Sequence, residues 1–109
     1  MLFRSTALAA YGLGNATNTG GFHFVARFGV SDAALVANAR TFIGLSATTA
    51  AFGNADPSTF LNSIFIGNDS ADTNLQIMYN GATGTATKIN LGANFPANTV
   101  STDMYEVSF

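Results

Sequence analysis

Few side chains in this 109-residue chain are of a type that does chemistry, and each is weighed by its spacing. His23 shares one side of an alternating run with Arg27. Acid–base catalysis would need a positioned partner for it, and no Gly-x-Ser-x-Gly elbow accompanies it. A surface or interface histidine is the expectation. Asp69, Asp72 and Asn74 put oxygen donors of the kind a hard cation such as calcium takes into one polar stretch. That stretch lacks the glycine and distal glutamate of an EF-hand loop. A solvated turn held by Asx hydrogen bonds is therefore expected. The run Gly81-Ala82-Thr83-Gly84-Thr85-Ala86-Thr87-Lys88 has the composition of a phosphate loop. Its lysine is displaced from the glycine and a hairpin pattern follows instead of a helix, so that geometry fails. Asp103 and Glu106 are acids suited by composition alone to paired-carboxylate chemistry, which needs about 5–10 Å between them. Both read as exposed strand-end charges. Asn15-Ala16-Thr17 and Asn68-Asp69-Ser70 match the glycosylation sequon, which has meaning in a secreted eukaryotic protein.

Composition narrows the classes further. Only 9% of residues are charged, against about 25% in ordinary globular chains; Asn, Thr, Ser and Gly supply the polar surface. Ten Phe and three Tyr carry more apolar area than disordered tracts do. Four Lys+Arg and a net charge of −2 cannot neutralise a phosphate track, so no nucleic-acid partner is expected. With no Cys and one His, neither disulfides nor thiolate or Cys–zinc chemistry is available, and no cofactor is expected. No stretch approaches the ~20 apolar residues that span a bilayer, so no membrane insertion is expected. The start, Met1-Leu2-Phe3-Arg4 and then Ser5 to Ala10, is diluted by Ser5, Thr6, Gly12 and Gly14 and is a poor match to a secretory signal. The length suits one domain. Residues 1–20 form a loop-rich segment and residues 21–109 a β-domain.

The elements that must position these groups follow from periodicity. Phe22, Phe24, Ala26, Phe28 and Val30 alternate with His23, Val25, Arg27 and Gly29, a strand with an aromatic face. Ser31-Asp32 before residues 33–40 predicts an N-capped helical turn or short helix with Arg40 at its C-terminal end. Residues 41–46 are apolar on both faces and predict a central strand. Asn54-Ala55-Asp56-Pro57-Ser58 predicts a turn or single helical turn, with proline at the first helical position after an Asp cap. Residues 63–67 form a buried strand. Leu75, Ile77 and Tyr79 alternate with Gln76, Met78 and Asn80, and Asn80-Gly81 signals a hairpin with a wide turn. The return strand covers residues 85–91. Tyr105, Val107 and Phe109 alternate with Glu106 and Ser108 in a last strand. Because the chain stops inside that pattern, a piece of a longer protein is expected. Six short strands and one short helix make an all-β antiparallel sandwich of jelly-roll-like kind.

An ordered series of segments adds a resemblance. Gly21-Phe22-His23-Phe24-Val25-Ala26-Arg27-Phe28-Gly29-Val30-Ser31-Asp32 is followed by Ala39-Arg40-Thr41-Phe42-Ile43-Gly44-Leu45-Ser46, Asp56-Pro57-Ser58-Thr59 and Ile66-Gly67-Asn68-Asp69. Asp72-Thr73-Asn74-Leu75-Gln76-Ile77-Met78, Gly84-Thr85-Ala86-Thr87-Lys88-Ile89-Asn90-Leu91-Gly92 and Phe95-Pro96-Ala97 complete it. In this order they resemble a β-sandwich domain recurrent in tailed-bacteriophage and prophage structural proteins, of the tail-fibre or virion-appendage kind. The resemblance covers residues 20–109. It implies a domain continuing beyond both ends of the chain, located on the virion, in a homo-oligomer (a trimer) that faces the host surface beside other virion proteins. No catalytic residue carries over, so a non-enzymatic role in host attachment is expected. Candidate contact loops are residues 68–74 and 80–84, with Asn68, Asp69, Asp72, Asn74 and Asn80 as candidate contact residues and a host-surface glycan as a candidate partner. The rival expectation is a lectin-like carbohydrate-binding module of a larger glycan-active protein.

Overall fold

The computed structural model describes residues 23–34, 36–48, 50–98 and 101–109. Among them the chain is all-β, with six strands in two antiparallel sheets, as the alternation predicts. The strands are β1 (Val25–Phe28), β2 (Thr41–Ser46), β3 (Ser63–Asn68), β4 (Gln76–Asn80), β5 (Thr87–Asn90) and β6 (Tyr105–Ser108). The larger sheet runs β2-β3-β4-β5; the smaller is a β1–β6 ribbon. The expected loop-rich segment 1–20, the Asn15 sequon and Phe22 lie outside the described residues.

One face of the large sheet carries the core. Phe42 and Gly44 of β2 share it with Phe65 and Gly67 of β3 and Met78 of β4, in the register Phe42↔Gly67, Gly44↔Phe65 and Phe65↔Met78. Each phenylalanine therefore lies opposite a glycine, and the rings of Phe42 and Phe65 meet diagonally, centroids 5.0 Å apart. Both glycines are required. A Cβ at Gly44, whose φ is 153°, would strike the Ile64 carbonyl oxygen, and one at Gly67 would strike that of Thr41. The connection from β2 to β3 folds over this face, adding the rings of Phe52 and Phe60 to those of Phe42 and Phe65. Phe65 and Met78 are buried, as is Pro57 of the same connection.

The opposite face is less covered. Ile43, Leu45, Ile64, Ile66 and Ile77 are half-buried, and Tyr79 and Ile89 are exposed. In the ribbon, Ala26 pairs with Val107 and Phe28 with Tyr105, and Val107 is buried. The Phe24 and Phe109 rings stack at 4.9 Å while their backbones exchange hydrogen bonds. Tyr105 packs on Phe95, in the connection that leaves β5.

Two expectations are corrected. Residues 33–40 form no helix: the chain bends, closes one turn through the Ala39 N–H to the Val36 carbonyl (3.2 Å), and enters the left-handed region at Asn38, φ 59°. Ala33, Ala34, Val36 and Ala37 are exposed. A short helix depends on burying an apolar face, and here there is none to bury. Arg40, expected at a helix end, pairs instead with Asp56. The helical turn is the short 3-10 turn Pro57–Thr59, with proline at its start as predicted; Asp56 holds the N-cap position, but its carboxylate accepts Arg40 and Ser70 and makes no cap bond. The second correction concerns β2, which among the described residues is an edge strand and not a central one. Its two faces are half-covered, one of them by the Phe52 and Phe60 connection, which explains its two-sided apolar pattern.

Candidate functional site

Two groups of polar residues sit at opposite ends of the large sheet. At one end β2 begins, β3 finishes and β4 begins; at the other β2 finishes, β3 begins and β4 turns into the hairpin.

The first end is a braced polar cluster. Asn68, 4% exposed, accepts the Thr41 N–H at Oδ1 (3.1 Å) and donates from Nδ2 to the carbonyls of Ala39 (2.8 Å) and Asp69 (3.0 Å). Its amide is thereby committed inside the fold, so the sequon it begins does not present a free acceptor. Asp69, 7% exposed, accepts the Ser58 N–H (3.0 Å) and the Lys88 ammonium (2.8 Å). Asp72 accepts the same ammonium (2.6 Å) and the Asp69 N–H (2.8 Å). Asp56 accepts Arg40 Nε (2.6 Å) and the Ser70 N–H (2.9 Å), while Arg40 Nη1 donates to Asn54 Oδ1 (3.0 Å). Asn74 forms a bridge with Pro96, and its carbonyl accepts the Gln76 side chain (3.2 Å).

This geometry sets the charges. Burial pushes the Asp69 carboxyl up, but hydrogen bonds from Lys88 and Ser58 outweigh it and hold the group below its ordinary value. The Ser70 N–H, followed by Arg40, holds the Asp56 carboxyl low. Burial pulls Lys88 down, while Asp69 and Asp72 more than compensate and leave it raised. The lysine that invited comparison with a phosphate loop is thus bound by two carboxylates. The carboxylates that invited comparison with a calcium loop are both engaged by that lysine, which offsets one of their two charges. No cluster of three or more His, Cys, Asp or Glu suited to a metal occurs among the described residues.

The second end is neutral and open. Asn80 Nδ2 donates to the Gly84 carbonyl (3.3 Å), and residues 81–85 are exposed. The loop is tied at its base through Asn62 N–H to Gly81 O (2.7 Å) and Ala86 N–H to Ser58 O (3.0 Å). Beside it lies a cleft of about 320 Å³, lined by Phe52 and Phe60 with Thr48, Thr59 and Asn62. Sequence reasoning missed this cleft, because its walls come from a connection whose path the pattern does not specify.

The remaining candidates stand apart. His23 is exposed just before β1. Arg27 pairs across the ribbon with Glu106 (2.6 Å), an exposed contact of the sort that contributes about 1 kcal/mol or less. Asp103 is exposed. No described helix is long and apolar enough to cross a membrane. Comparison of the chain with protein-family models, with curated proteins and with solved structures gives no match.

Proposed function

We propose that this chain is a non-enzymatic virion β-domain, of the tail-fibre or appendage kind, that presents its neutral sheet end for attachment to a host surface. The resemblance of its ordered segments to phage structural domains supports this reading. The observation that carries it is the exposed hairpin tip, residues 81–85: uncharged, rich in Gly and Thr, and backed by a firmly paired sheet. Such a surface offers adaptable hydrogen bonds, and repeated copies in a homo-oligomer convert weak contacts into firm adhesion. The attachment surface is accordingly Asn80 with the tip. Asn68 and Asp69 are internal, and Asp72 is held by Lys88.

A second reading, a lectin-like module, is favoured by the neighbouring cleft. Two phenylalanine rings with threonine and asparagine around them, and no charged side chain, match the mixed apolar and hydroxylated faces of a sugar. One experiment tests both. The chain is biotinylated, tetramerised on streptavidin and applied to a panel of bacterial surface polysaccharides. Binding weakened at least tenfold by Asn80→Ala with Thr83→Ala supports the attachment reading. Loss through Thr48→Ala alone, a change at an exposed residue of the cleft, favours the lectin module. No binding by the multivalent chain contradicts both.

A further inference from the structure

The outer edge of β2 has no partner strand among the described residues. The direction of its peptide groups follows from two hydrogen bonds. Ala47 N–H donates to the Asn62 carbonyl (2.9 Å), one step beyond the Ser46↔Ser63 pair, and Thr41 N–H is taken by the Asn68 side chain. Bonded and non-bonded pairs alternate along an antiparallel ladder. Hence Thr41, Ile43 and Leu45 direct their backbone groups to β3, and Phe42, Gly44 and Ser46 direct theirs outward. The strand carries none of the usual guards of an exposed edge, having no lysine, no proline and no charge. The other edge strand, β5, carries Lys88.

The outward residues are self-complementary. When two copies of β2 run antiparallel about a two-fold axis at Gly44, Phe42 of each copy faces Ser46 of the other and Gly44 faces Gly44. This register engages the outward N–H and C=O groups of all three residues. It sets a large side chain against a small one on the core face, and Ile43 against Leu45 on the other face. The two Arg40 side chains fall at opposite ends of the seam, so no like charges meet. We propose that β2 pairs in this register with β2 of a second copy of this chain, joining two four-stranded sheets into one. The proposal goes beyond the attachment reading and does not rest on it: a two-fold seam makes a dimer, whereas the resemblance implies a trimer.

The test is light scattering coupled to size exclusion, over a concentration series, with amide exchange by NMR. The expected result is the mass of two chains at high concentration and slow exchange at Phe42 and Gly44. Ser46→Pro removes an outward N–H and the Oγ that accepts the Thr48 N–H (3.1 Å), but no backbone bond to β3, and is expected to halve the mass and expose both amides. A trimer, a monomer at every concentration, or a dimer that Ser46→Pro leaves intact would overturn the proposal. So would a monomer with protected Phe42 and Gly44 amides, which would give the edge to another part of the same chain. If Ser46→Pro fails to fold, the unaltered chain's mass and amide protection decide alone.

Discussion

The two ends of the large sheet are both polar loop regions and do opposite things. At the braced end, Asn68, Asp69, Ser70 and Asp72 turn inward and tie the entry to β2, the Pro57–Thr59 turn and β5 to one loop. At the open end, Gly81, Thr83, Gly84 and Thr85 face solvent. The difference arises from charge. Asp69 can be buried, with Asp72 beside it, because one lysine from the adjoining strand offsets part of their charge and backbone N–H groups bond to the carboxylates. A loop of glycine and threonine has no such partner to seek, and water satisfies it. A polar loop composition thus identifies a surface loop only where no opposite charge lies within reach.

Several substitutions would sharpen that contrast. The largest effect is expected from Asn68→Ala, which strands the Thr41 N–H and the Ala39 carbonyl at a buried site. It should cost about 2–4 kcal/mol, lowering the melting temperature by roughly 10 °C or more. Lys88→Met should follow at about 2–3 kcal/mol, because it leaves Asp69 and Asp72 close together without a counter-charge. Urea titration of the purified variants measures both.

Acidity should act on the same end. Asp56 and Asp69 lie below their ordinary value of 3.8 in the fold, so their stabilisation is present above that pH and lost as pH falls through the lower folded values. Lys88 lies above its ordinary value of 10.5, so its stabilisation is complete below that pH and lost as pH rises through the folded value. Melting temperature against pH is expected to fall at both extremes, and the alkaline fall should be smaller in Lys88→Met. The smallest effect belongs to the open end: Thr83→Ala should change stability by less than about 0.5 kcal/mol while altering attachment.

Much of this fold is legible from apolar patterning alone. The inward faces of β1 and β6 follow from period two, the bounds of β2 follow from an apolar run on both faces, and Asp56-Pro57 marks its helical turn. The braced end was not legible. Lys88 lies across a hairpin from Asp69 and Asp72, and only the β4–β5 pairing makes them neighbours. The helix expected at residues 33–40 had a cap and alanines, yet tertiary structure offers it no surface to pack on. The position of β2 at an edge was hidden for a similar reason: Phe52 and Phe60 return to cover one face of it, and a covered edge strand has the pattern of a central one.

Amide exchange at the two ends, in the unaltered chain and in Lys88→Met, tests the contrast most directly. Slow exchange is expected at Ser58, Asp69 and Ser70 in the unaltered chain, accelerated in Lys88→Met at Ser58 and Asp69, with Ala82, Thr83 and Gly84 fast in both. Fast exchange at Ser58 and Asp69 in the unaltered chain, or protection at Thr83 and Gly84, would contradict the division between a braced end and an open one.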